Sequence, residues 1–329
     1  MKTRAGLARF VAAGALAAAV AAAPASTRAA DATKPLYIIG VFHADVSNSF
    51  SSVVKRGAEQ AGKDLGVRVE FVGPEKFDLV AEGELIDAAI AKKPDGMFVS
   101  IADCDAIAPH VQAARKAGIP VMSFNAGAKC FKESGSLVHI AEDGFAAGLG
   151  AGERLAKLGA KNVICLDHEV GNAFLEDRCN GIAQAIKASG GKSRVIATSL
   201  ADPAITKGAI EAAFLKDPTI DGIGGEWGGG PSPAVIDDTL TSLKLQGKVI
   251  VSYFDPGLDT LPMIKEGKIA FETSQVPFNQ GYLPVQFLYS YIRYGVLPGG
   301  PAAVVNNGGF FITKDNVDTI LALVKQGIY

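Results

Sequence analysis

Gly118-Ile119-Pro120-Val121-Met122-Ser123-Phe124 returns later in the chain as Gly247-Lys248-Val249-Ile250-Val251-Ser252-Tyr253. Each stretch is a turn glycine, then a short apolar run, then a serine and an aromatic ring. An amide or a carboxylate follows each within two residues: Asn125 and Asp255. The turn Asp95-Gly96 has its own echo in Asp221-Gly222. Recurrences spaced by roughly 125 to 130 residues indicate one structural unit used twice.

Working outward, short apolar runs alternate with segments of helical spacing. Leu36 to Phe42 reads as a strand, and Phe50, Val53, Val54, Ala58, Ala61 and Leu65 then recur on one helical face. Strands at 67–72, 96–100 and 120–124 are separated by helices at 78–92 and 106–117. In the second half, strands at 162–167 and 195–198 alternate with helices at 172–189 and 203–216. Near-continuous apolar strands with helices between them predict parallel sheets covered on both faces. The fold class is therefore α/β, with two similar doubly wound parallel-sheet lobes.

The 329 residues are 48% hydrophobic, enough for two cores. Lys2, Arg4 and Arg9 precede a 14-residue apolar run, Phe10 to Ala23, and small residues follow it. That is the layout of a secretory signal peptide spanning 1–29, too short to cross a bilayer comfortably. Cleavage after Ala29 removes four basic residues and no acid, leaving 28 Lys and Arg against 34 Asp and Glu. With that net charge and no basic cluster, nucleic acid is not an expected partner. The first cysteine is Cys104, so no cysteine follows the apolar run to carry a lipid. The mature chain is expected in the periplasm, as a monomer. Cys104 and Cys130 both fall in loops, which leaves a bond between them open; Cys165 on a strand and Cys179 on a helix are expected to pack as small hydrophobes.

In open parallel sheets, ligands bind beyond the carboxyl ends of the strands. The residues that follow the strands are Asn48 and Phe50, then Asp103, Asn125, His168 and Asn172, then Glu226, Trp227 and Asp255. Amides and carboxylates with interleaved rings suit a polyhydroxylated small molecule. Trp227, flanked by glycines, is expected to stack on such a ligand. Enzyme signatures are missing: there is no nucleophile elbow, no His-Glu-x-x-His and no P-loop lysine. The glycines at 148, 150 and 152 lie within a helical pattern and are expected to serve helix packing. No catalytic residue, metal or cofactor is expected, and His43, His110 and His139 are expected to be ordinary polar or hinge residues.

At these residues the chain resembles the ribose- and galactose-binding group of type 1 periplasmic binding proteins, the receptor subunits of ABC sugar importers. Asn48-Ser49-Phe50-Ser51, Asp103-Cys104-Asp105-Ala106, Asn125, Phe254-Asp255-Pro256 and Thr273-Ser274-Gln275-Val276-Pro277 stand in the family's order. The resemblance implies that Asn125, Asp255 and Gln275 contact a sugar, and that Glu176 occupies the place of a family arginine. It also implies a membrane ABC permease as partner and a three-crossing hinge. By that analogy the N-terminal lobe comprises 34–137 plus 276–301 and the C-terminal lobe 138–275 plus 302–329. A small neutral sugar or polyol is the expected ligand; a nucleoside or signalling molecule, or a chemosensory role, is the alternative.

Overall fold

The computed structural model describes residues 34–199, 202–225 and 232–329. The expected signal peptide, Glu226 and Trp227 lie outside the described residues.

The first sheet begins with β1 (Tyr37–Val41), α1 (Ser49–Leu65), β2 (Arg68–Val72) and α2 (Leu79–Ala91). It continues with β3 (Gly96–Ser100), α3 (Cys104–Lys116), β4 (Val121–Phe124) and β5 (Val138–Ala141). The chain then leaves for the second lobe with α4 (Gly144–Lys157), β6 (Asn162–Asp167), α5 (Ala173–Ala188), β7 (Lys192–Ala197) and α6 (Pro203–Lys216). That lobe goes on through β8 (Gly222–Gly225), α7 (Ser232–Ser242), β9 (Ile250–Phe254), α8 (Thr260–Glu266) and β10 (Phe271–Ser274). It returns to the first lobe with α9 (Pro277–Tyr294) and β11 (Ala303–Asn306), and ends in the second with β12 (Phe310–Ile312) and α10 (Val317–Gln326).

The strand orders are β11-β5-β4-β3-β1-β2 and β12-β10-β9-β8-β6-β7, the same winding twice. They differ at the last strand: β11 runs parallel to β5, whereas β12 is antiparallel to β10. Apolar side chains fill both faces of each sheet, as continuous apolar strands require.

The doubling extends to helix packing. The first crossing delivers α4 onto α5, and the second delivers α9 onto α1. Both pairs approach through glycines. A methyl group at Gly57 would collide with the carbonyl of Phe278, and one at Gly281 with that of Val54. In the other lobe, Gly148 lies against the Arg178 carbonyl and Gly181 against that of Phe145. The glycine-rich stretch of α4 thus serves helix packing, as its period suggested.

Both β5 and β11 pair within the first sheet, so the crossings fall after Ala141 and after Asn306 rather than at 137–138 and 301–302. Each strand completes its ladder before the chain leaves. The middle crossing lies at Gln275-Val276. The three are tied together: the Asn307 amide donates to Ala141 O at 3.2 Å, Asn307 Nδ2 to Val276 O at 3.3 Å, and the Gly309 amide to Ser274 O at 2.9 Å.

All four cysteines are bonded, Cys104 to Cys130 and Cys165 to Cys179. The second bond corrects the expectation that Cys165 and Cys179 pack as small hydrophobes. Cys165 pairs in register with Gly224 of β8, and Ile182 of α5 fills the space which that glycine leaves. The helix therefore settles low on the sheet, with Cα atoms 5.7 Å apart at the two cysteines.

Candidate functional site

The carboxyl ends of the two sheets face each other across a cavity lined by Phe42, His43, Asn48, Phe50, Asn125, His168, Glu169, Phe174, Leu175, Arg178, Asp255 and Gln275. Six of the expected residues are there: Asn48, Phe50, Asn125, His168, Asp255 and Gln275. Asn125 and Asp255 occupy equivalent places, one residue beyond β4 and β9. Both backbones are left-handed, with φ of 58° and 65°. Asn and Asp tolerate that region better than other non-glycine residues, so conformation and chemistry select the same residue types here. Val276 also has positive φ, 49°, where a β-branched residue is strained. That strain sits at the middle crossing.

Helix capping accounts for two of the remaining expectations, Asp103 and Asn172. A polar side chain just beyond a strand is also the residue just before a helix, and it accepts from the helix's unpaired amides. Asp103 accepts from the Ala106 amide and stays partly exposed outside the cavity. Asn172 accepts from the Phe174 amide and is buried, but its Nδ2 donates to Glu169 Oε2 at 2.8 Å, placing it behind the cavity wall. Glu176 is exposed on α5. Even Asn48, at the cavity, spends its oxygen on the Ser51 amide and its nitrogen on Asp45 O.

At the hinge side, Asn125 Nδ2 donates to Gln275 Oε1 at 3.2 Å and to Gln280 Oε1 at 3.1 Å. Gln275 Nε2 donates to Asp255 Oδ2 at 3.0 Å. The chain thus joins both lobes through the middle crossing. Asp255 is buried, and its Oδ1 has no donor among the described residues. Burial pushes this carboxyl up to about 6, against the pull of Arg178 and the Gln275 hydrogen bond.

Arg178 went unrecognised in the sequence because it sits inside α5, two turns past the strand end. It is 1% exposed, lies between the rings of Phe174 and Phe254, and donates from Nε and Nη2 to Glu142 Oε1 at 3.2 and 3.1 Å. Burial raises Glu142 to about 7, with Arg178 opposing and Asp255 reinforcing. Arg178 thus faces an acid that is only partly ionised near neutral pH.

The other end of the cavity holds a pair drawn from both lobes. His43 Nδ1 lies 2.8 Å from Ser100 Oγ, and its Nε2 lies 3.3 Å from Glu169 Oε2. Burial works against the Glu169 carboxylate, yet His43, His168 and Asn172 outweigh it and hold the group down at about 2. Burial lowers His168 to about 4, leaving it neutral at pH 7. His43, expected to be an ordinary polar or hinge residue, therefore lines the cavity and bridges the lobes. Further contacts span the cleft: the Ala173 amide donates to Ala102 O at 3.1 Å, and Phe174 and Leu175 pack on Ala102 and Ala126. On the surface, Lys129 Nζ meets Asp177 Oδ1 at 2.7 Å.

Residues 39–295 match the model of the periplasmic binding protein domain. A carbohydrate transporter from Acidothermus cellulolyticus, solved in complex with myo-inositol, is 30% identical with a TM-score of 0.83, covering 90% of this chain and all of that one. A xylose/arabinose-binding protein of Sulfolobus acidocaldarius is 25% identical across 84% of this chain and 70% of its own length. A ribose import binding protein of Bacillus subtilis is 25% identical across 74% and 78%, respectively.

Proposed function

Because the chain belongs to the periplasmic binding protein domain family, a family of solute binders rather than enzymes, we propose that it captures a neutral monosaccharide or cyclic polyol for an ABC importer. One observation carries the ligand class. Asp255 Oδ1 is buried in the interlobe cavity without a donor among the described residues, between lobes that contribute aromatic walls at Phe50 and Phe174. A ligand hydroxyl supplies the missing donor, and a ring's C–H face suits the aromatic walls. Asn125, His168, Glu169, Arg178 and Gln275 complete the polar lining. Stacking by Trp227 and a contact from Glu226 belong to the same proposal. So do cleavage of residues 1–29, release of a monomer into the periplasm and docking on a membrane permease.

Calorimetry against myo-inositol, D-arabinose, D-xylose, D-ribose and D-galacturonate tests the reading. A neutral member is expected to bind at micromolar Kd or tighter, and galacturonate to bind at least about a hundredfold more weakly, because Glu169 and Asp255 repel an anion at reduced dielectric. Galacturonate as the tightest ligand overturns the proposed class.

A further inference from the structure

Glu82 lies in α2, fully buried, and neither carboxyl oxygen has a donor among the described residues. Three residues earlier on the same helical face, Leu79 packs with Phe77 against Ala102, Ala126, Phe174 and Leu175, the apolar contact between the lobes. This face of α2 therefore looks toward the second lobe, and the charge that Glu82 feels from there is Glu169. The groups around the two acids are known from each element. The segment after β1 brings His43, already bonded to Ser100 and Glu169. The end of β6 brings Asp167, and the segment after it brings His168. From α3 comes His110, which packs on Gly83 and is bonded to Asp87 of α2 itself. Asp78 is committed to capping α2. None of these is hydrogen-bonded to Glu82.

Closing the cleft thus brings a buried carboxylate, Glu169, up to a second buried carboxyl with one imidazole between the lobes. Two uncompensated negative charges in a dry contact are far costlier than one charge and one neutral acid. Glu169 has the donors and keeps the charge, so Glu82 keeps a proton. We propose that Glu82 is a positioning residue for the closed state: closure takes up a proton at its carboxyl, and ligand affinity therefore falls as pH rises. This rests on the reading of the chain as a two-lobed solute receptor.

The direction follows from linkage. Burial, reinforced by Glu169, raises Glu82 well above the ordinary carboxyl range in the closed form. Opening removes Glu169 and wets this face of α2. An acid raised in one state stabilises that state below its ordinary range, and the benefit is lost as pH rises through the raised value. Glu169 acts in the opposite sense, but only as pH falls from the ordinary range toward about 2, outside the window used here. Asp255 and Glu142, at about 6 and about 7, lean the same way as Glu82, so its share must be isolated by substitution.

The experiment is calorimetry with myo-inositol and D-arabinose from pH 5.5 to 9, in two buffers of different ionisation enthalpy. Affinity is expected to fall by about three- to tenfold per pH unit over part of this range, with net proton uptake on binding. Glu82→Gln keeps the shape of the neutral acid and is expected to remove at least half of the slope and of the uptake. Glu169→Gln removes the charge that reinforces burial at Glu82 and is expected to reduce the slope by a smaller amount, since burial remains, a second route should the first variant fold poorly. Flat wild-type affinity without uptake overturns the proposal, and so does a slope that Glu82→Gln reduces by less than half. If neither probe binds, the ligand assignment fails separately. Small-angle scattering of the free protein then decides: a radius of gyration that rises with pH in the wild type and not in Glu82→Gln supports the proposal, and any other pattern overturns it.

Discussion

Asp255 concentrates several demands at one position. It follows β9, adopts a left-handed backbone, receives Gln275 and keeps one buried oxygen without a donor among the described residues. Asp255→Ala is expected to weaken sugar or polyol binding by more than tenfold, since a hydrogen bond to a charged group contributes roughly 1.5–3 kcal/mol. Calorimetry on the folded variant checks this; unchanged affinity removes Asp255 from the site. The position was legible in the sequence because strand ends can be counted, and the same holds for Asn125; Gln275 came only from the family resemblance of the segment around it. Counting could not separate ligand contacts from caps. Asp103 and Asn172 stand at equally suggestive places, yet their side chains answer the amides of α3 and α5. Arg178 was hidden for a different reason: its approach to the cavity depends on how α5 lies on the sheet, which periodicity does not encode.

At the scale of elements, the strand and helix order and its repetition could be read directly, because apolar runs of period near zero and segments of period 3.6 differ sharply. The depth of packing between elements could not. It is set by glycines whose partners are distant in sequence, as with Gly57 facing Phe278 and Gly224 admitting Ile182 toward the Cys165–Cys179 bond. Gly281 is the sharpest case, because its missing side chain faces the backbone carbonyl of Val54, which cannot rotate aside. Gly281→Ala must push α9 off α1, losing contacts around Val54, Ala58 and Val285. A loss of about 3 kcal/mol or more is expected, well beyond the small gain in helix propensity from alanine. Thermal or urea unfolding reads it; a variant as stable as the wild type shows that the two helices do not meet this closely.

In the whole molecule, contacts across the cleft divide by burial. His43 with Glu169 and the Phe174–Ala102 contact are dry, whereas Lys129 with Asp177 faces solvent, the lysine being 59% exposed. Exposed pairs contribute about 0–1 kcal/mol and are screened by salt. Lys129→Ala is therefore expected to change ligand affinity by less than about fivefold, and hardly at all in 0.5 M salt, measured by the same calorimetry. A larger loss places the closing energy at the rim instead of the interior. The three crossings bear on a different matter, the timing of synthesis. Lobe one needs α9 against α1 and β11 beside β5, and both come after residue 276. A growing chain that has already made β1 through β5 still exposes the apolar face of α1 and an open edge at β5. Its first lobe cannot lock until nearly all of the second has been translated, so the nascent polypeptide stays unfinished in both halves almost to its last residues.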